Sequence, residues 1–171
     1  MTTPIAALLS ILLVAIVLMA TERLRARLLA GLGNLESTNE FVTVAMNARQ
    51  NIWERVIAVR CLSAFPHESV ANTLSELARQ DEPPTRLKRA AIQAMLQMPG
   101  QAGIASIVSL AREGSDAIRR AAVEAMLRSD RWQVKLELEA LRSSAQIGQL
   151  IEQVERTLKS QSASSKALVS T

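Results

Sequence analysis

Residues 120–127, Arg-Ala-Ala-Val-Glu-Ala-Met-Leu, have a near copy at 89–96, Arg-Ala-Ala-Ile-Gln-Ala-Met-Leu, and a fainter one at 55–62, Arg-Val-Ile-Ala-Val-Arg-Cys-Leu. The copies lie 31 and 34 residues apart. A period of that size, carried by Ala, Leu and other good helix formers, implies a row of short helical units, each burying one face against the next. No single unit can shield its apolar stripe alone, so the array has to stack.

A second helix type alternates with the first. Ala48-Arg49-Gln50 recurs as Ala78-Arg79-Gln80 and, loosely, as Ala111-Arg112-Glu113. Ile104, Ile107, Val108 and Ala111 fall at the i, i+3, i+4, i+7 spacing of an amphipathic helix. Ile107 corresponds to Leu74 and Leu138, and Leu110 to Leu77 and Leu141. The unit is therefore an A helix followed by a B helix. Asp81-Glu-Pro-Pro84 and Gly114-Ser-Asp116 separate A from B, with Ser115 or Asp116 available as an N-cap, while Pro66, Pro99-Gly100 and Ser129-Asp130 close the B helices. The spacing predicts four pairs: 39–50 with 52–64, 68–80 with 85–97, 101–113 with 117–128, and 132–143 with 146–159. The last pair is more polar, as suits a terminal cap whose outer face meets water. Ser160 to Thr171 is Ser- and Gln-rich and reads as a disordered tail. Ala90, Ala91 and Ala94, matched by Ala121, Ala122 and Ala125, let successive B helices approach closely.

Composition agrees with an all-α chain. Apolar residues make up 49%, yet only 2% are aromatic (Phe41, Trp53, Phe65 and Trp132), so Ala, Leu, Ile, Val and Met fill the core. The net charge of +4 is half accounted for by Arg23, Arg25 and Arg27 against Glu22; from residue 28 onward there are 17 basic and 15 acidic side chains. That balance argues against a domain whose affinity comes from neutralising phosphates, and no nucleic-acid partner is expected. Cys61 is the single cysteine, so no intramolecular disulfide or cysteine-rich zinc site is available, and within an apolar octet it reads as a buried small hydrophobe.

The first thirty residues differ from the rest. No charged side chain occurs from Thr2 to Thr21, a run of 20 residues with Ile5 to Ala20 its apolar heart. At about 1.5 Å per residue this is roughly 30 Å of helix, enough to cross a bilayer once. A cleaved secretory signal fits less well, because no Lys or Arg precedes the run and a cut after Ala20 would place Leu18 where a small residue is wanted. Arg23, Arg25 and Arg27 predict the cytoplasmic side, with the amino terminus outside and the remaining chain in the cytosol. Leu24, Leu28, Leu29 and Leu32 carry an apolar stripe beyond the span, against either the headgroup boundary or the first helix pair. The expected organisation is thus a membrane anchor and juxtamembrane helix over 1–34, a solenoid over 35–159 and a tail over 160–171.

Asp116-Ala-Ile-Arg-Arg-Ala-Ala-Val-Glu-Ala-Met-Leu127 resembles the B-helix signature of HEAT repeats, particularly their short E-Z or phycobilisome-lyase-like type. The resemblance covers about residues 39–159 and is good for the second and third units and weak for the first and fourth. It departs in the second unit, where Thr85 and Arg86 stand in place of the Asp. It implies a curved α-solenoid used chiefly as a binding scaffold, and no catalytic residue or cofactor.

The residues themselves offer little catalytic chemistry. His67 is the only histidine and follows Pro66 in a turn, which leaves no His-based metal site or nucleophile system within this chain. Glu137 with Glu139, and Asp81 with Glu82, are not neighbours on a helix face, and no Gly-rich phosphate loop is present. The candidate partner-binding feature is a ladder: Arg55, Arg89 and Arg120 share one position in successive B helices, with Lys88 and Arg119 beside the latter two. Such a row can hold an acidic segment of a partner. The competing reading pairs Arg119 with Asp116 and the others with acids such as Glu54 or Glu124. The chain reads as a non-enzymatic, single-pass scaffold docking proteins at the cytoplasmic face of a membrane, an accessory or assembly subunit of a membrane complex. A regulatory adaptor recruiting soluble partners and a HEAT-type chromophore lyase are the alternatives.

Overall fold

The computed structural model of the chain describes residues 35–81 and 84–169, and every regular element among them is a helix. The A helices are α1 (Leu35–Met46), α3 (Glu68–Arg79), α5 (Ala102–Glu113) and α7 (Trp132–Arg142). The B helices are α2 (Ile52–Leu62), α4 (Thr85–Gln97), α6 (Asp116–Leu127) and α8 (Ala145–Val169). Each A helix packs on its own B helix, on the next A helix and, through one face, on the shared core; the B helices stack on one another in order. The span expected over Ile5–Ala20 and the arginines at 23, 25 and 27 lie outside the described residues. No helix among the described residues is long and apolar enough to cross a membrane.

The core follows the matched positions. Leu74, Leu77, Ile104, Ile107, Leu110, Leu138 and Leu141 are buried on the A side, and Ala91, Met95, Ala122, Val123 and Met126 on the B side, all within one continuous cluster. Ala122 is fully enclosed, whereas its neighbour Ala121 is only half-buried because it faces a groove between α4 and α6. Cys61 is buried, as its place among apolar neighbours predicts.

Three element boundaries differ from the sequence expectation by more than two residues, the first being the start of α1 at Leu35 and not at residue 39. The first A helix ends at Met46 rather than near Gln50: Asn47 Oδ1 accepts the Arg49 amide at 3.0 Å, and the Gln50 amide returns to the Asn47 carbonyl at 3.1 Å. An asparagine side chain offers the backbone a turn in competition with the helix, and here the turn wins. Asn51 then caps α2 by accepting the Trp53 amide at 2.8 Å. At the other end, α8 does not stop at Lys159 but continues to Val169. Extending a formed helix adds one hydrogen bond per residue, and Ser160 and Ser162 turn their hydroxyls back to the carbonyls of Thr157 and Lys159 instead of breaking it. Ser115 occupies the cap position of α6 without a side-chain cap bond, and Asp116 engages Arg119 instead.

Two glycines make the α4–α5 connection possible. Gly100 has φ +79°, a left-handed conformation that L side chains rarely adopt, and it turns the chain sharply after Pro99. At Gly103 a Cβ would stand 2.1 Å from the Met95 carbonyl oxygen, so only glycine lets the start of α5 lie against the end of α4.

Candidate interaction surface

The five residues of the expected basic ladder occupy three different environments. Arg55 is buried, and its Nε donates to the Ala45 carbonyl at 2.9 Å, covering a carbonyl in the last turn of α1. A guanidinium so enclosed cannot meet a partner. Arg119 is bound to Asp116 within its own helix. Lys88 is half-buried with its ammonium 3.4 Å from the Asp81 carbonyl. Arg89 and Arg120 are exposed on the B layer; Arg120 makes only a long 3.4 Å contact to Gln153, and Arg89 holds no ion pair among the described residues. Of the acids expected to neutralise the row, Asp116 does pair with Arg119, whereas Glu54 accepts from Gln50 and Glu124 pairs with Arg128.

Arg89 and Arg120 open onto a surface that the repeats alone did not reveal. A cleft of about 680 Å³ lies over the carboxyl ends of α2, α4 and α6, with Arg60, Gln93, Gln97, Arg128 and Arg131 on its walls. Through Gln93 and Arg128 it continues into a groove between α4 and α6 beside Arg89, and through Glu124 into a narrower one between α6 and α8 beside Arg120. Five guanidinium groups, from Arg60, Arg89, Arg120, Arg128 and Arg131, thus share this trough with one carboxylate, Glu124. On the A layer the groove between α3 and α5 has the opposite balance, with Glu68 and Glu76 against Arg79. Near-neutral overall composition therefore conceals two faces of different charge.

Of the trough arginines, Arg131 has a structural task. Its Nη1 donates to the carbonyls of Leu96 at 2.6 Å and Met98 at 2.8 Å, and its Nη2 reaches Gly100 O and Gln133 Oε1 at 3.3 Å. The guanidinium gathers the terminal carbonyls of α4, groups that no intrahelical amide can satisfy. Arg79 performs a related function on the A layer, donating to Ser109 Oγ at 2.8 Å and lying 3.6 Å from Glu113 across the α3–α5 junction. Arg142 joins α7 to α8 through Glu155; that hydrogen bond raises the guanidinium pKa further, against the opposing effect of burial, with added help from Glu139. Its Nε is 3.1 Å from Glu139 Oε1 but poorly angled, a charge contact and not a hydrogen bond.

Sequence reasoning missed Arg60, Arg128, Arg131 and the two glutamines. For Arg60 a signal existed, because the first copy carries Arg where the others carry Ala94 and Ala125. Those alanines are buried between units, whereas Arg60 is exposed. His67, expected in a turn, is exposed at the cap position of α3. Among the described residues no group of His, Cys, Asp and Glu could hold a metal ion.

Paired helices stacked on one core, with small residues where B helices meet, define a protein of the α-solenoid class. Residues 38–128, more than half of the chain, match the family model for HEAT repeats, and the chain belongs to that family. The match takes in the first pair, whose sequence resemblance was weak, and stops before the fourth. No curated protein matches the chain, and no solved structure does.

Proposed function

We propose that this chain is a membrane-anchored, non-enzymatic scaffold: its N-terminal segment spans the bilayer once, and its HEAT solenoid docks proteins on the cytoplasmic side as an accessory or assembly subunit of a membrane complex. Membership of a repeat family used chiefly for protein interaction supports the scaffold part. The observation that carries the location is the uncharged run from Thr2 to Thr21 followed at once by Arg23, Arg25 and Arg27. Tethering confines the docking surface to the membrane plane and raises its effective concentration for membrane-bound partners. The similarity of residues 116–127 to the short E-Z type belongs to this reading as well, as a likeness of packing and not of chemistry.

Purification from gently solubilised membranes tests it. A stoichiometric complex with integral membrane subunits is the expected result. Salt-labile soluble partners would favour the adaptor reading, and recovery of the bare chain alone would remove the scaffold's support. A reporter fused to the C-terminus is expected to report the cytoplasm; an external signal would refute the orientation.

A further inference from the structure

We propose that the B-layer trough binds an extended, acidic segment of a partner protein whose carboxylates recur at every third residue. The inference rests on the scaffold reading and specifies what the scaffold holds. Its first support is charge: Arg60, Arg89, Arg120 and Arg128 line a continuous path whose lining includes one carboxylate, Glu124. The Glu124–Arg128 pair is an exposed i,i+4 contact at 2.8 Å, the kind of ion pair that contributes little and that an incoming carboxylate can replace.

The second support is spacing. Arg89 and Arg120 hold the same position on α4 and α6, which pack directly on each other. Packed helices lie about 8–10 Å apart. A chain in the polyproline II conformation rises about 3.1 Å per residue with three residues per turn, so side chains at every third position emerge on one face about 9 Å apart. A β-strand presents its same-face side chains at about 6.6 Å or 13 Å, so one seated on the first rung falls out of register with the second. Gln93 and Gln97, exposed on α4 one and two turns beyond Arg89, offer side-chain amides to the backbone of such a segment where it runs on into the cleft, since that backbone has no internal hydrogen bonds.

The charge pattern alone would also suit a nucleic-acid strand. The aromatic platforms on which unpaired bases stack are lacking from the trough lining, and this favours the peptide.

The test uses the full-length chain in mild detergent and two synthetic peptides of identical composition: repeated Glu-Pro-Ser triplets, and the same residues with the glutamates run together. The triplet peptide is expected to bind more tightly than the clustered one and to weaken as salt is raised. Arg89→Glu should weaken it about ten-fold and Arg89→Glu with Arg120→Glu about a hundred-fold, while Lys135→Glu on the A layer leaves it unchanged. If the double reversal alters the helical signal or the melt, Arg89→Ala carries the test, since that exposed side chain holds no ion pair to lose. Equal binding of the two peptides, indifference to the substitutions at Arg89, or tighter binding of a single-stranded oligonucleotide of equal charge would each overturn the proposal. None of these outcomes bears on co-purification with membrane subunits, so the trough can fail while the scaffold stands.

Discussion

Replacing Arg131 by Ala should destabilise the solenoid although the side chain is only half-buried. Its guanidinium donates hydrogen bonds to Leu96 O and Met98 O at 2.6 and 2.8 Å and a longer one to Gly100 O. Hydrogen bonds from a charged donor contribute about 1.5–3 kcal/mol each. The two short ones would then give about 3–6 kcal/mol, but the cleft admits water to the abandoned carbonyls, which recovers about half. The expected loss is about 1.5–3 kcal/mol, or a fall in Tm of roughly 3–12 °C for a chain of this length. Circular dichroism melts of the full-length protein and the variant measure it. Arg131→Lys should recover less than half of the loss, because one ammonium cannot reproduce a planar fork that meets carbonyls from both of its ends. A melt of Arg131→Ala within about 1 °C of the parent would refute the clamp, and full recovery by lysine would refute its geometry.

Further outcomes follow from the same structure. Gly103→Ala places a methyl group 2.1 Å from the Met95 carbonyl oxygen and should cost about 3 kcal/mol or more, read by chemical denaturation; a variant as stable as the parent would mean that α5 can move away from α4. Ala122→Leu overpacks a fully enclosed site in α6 and should cost about 1–3 kcal/mol in the same assay. Arg55 and Arg89 share a repeat position yet should behave oppositely: Arg55→Ala loses about 1–3 kcal/mol of stability, whereas Arg89→Ala changes the melt by less than about 0.5 kcal/mol. Equal effects at the two positions would show that burial does not separate them.

The repeats made most of this fold legible because each unit solves the same packing problem with the same residue types. Ile104, Ile107 and Leu110 announced the buried face of α5, and Ala122 the close junction of α6 with its neighbour, since helical periodicity and side-chain size are written directly in the chain. The end of α1 was less legible, because Ala48-Arg49-Gln50 looks helical by analogy with its copies and only the hydrogen bonds of Asn47 show otherwise. The terminal unit was expected to present a polar outer face, yet Trp132 is 69% and Leu136 63% exposed on α7. A polar average over the pair does not report how individual side chains point.

Equivalent position in a repeat does not mean equivalent surroundings, and the candidate site shows this most clearly. From its sequence alone this chain is bound to be an array of A and B helices with small residues at the B junctions, because period, amphipathic spacing and alanine content leave no other way to bury the apolar faces. Only the tertiary structure decided what each arginine does. Arg55 lies under the end of α1 and is enclosed, Arg119 answers to Asp116, and Arg131 reaches 33 to 35 residues back to close α4. Arg60, Arg89, Arg120 and Arg128 come together from three successive units because stacking brings their helices side by side. A charge on a flexible side chain acquires its role from whatever the fold places within its reach, and that neighbourhood is not local in sequence.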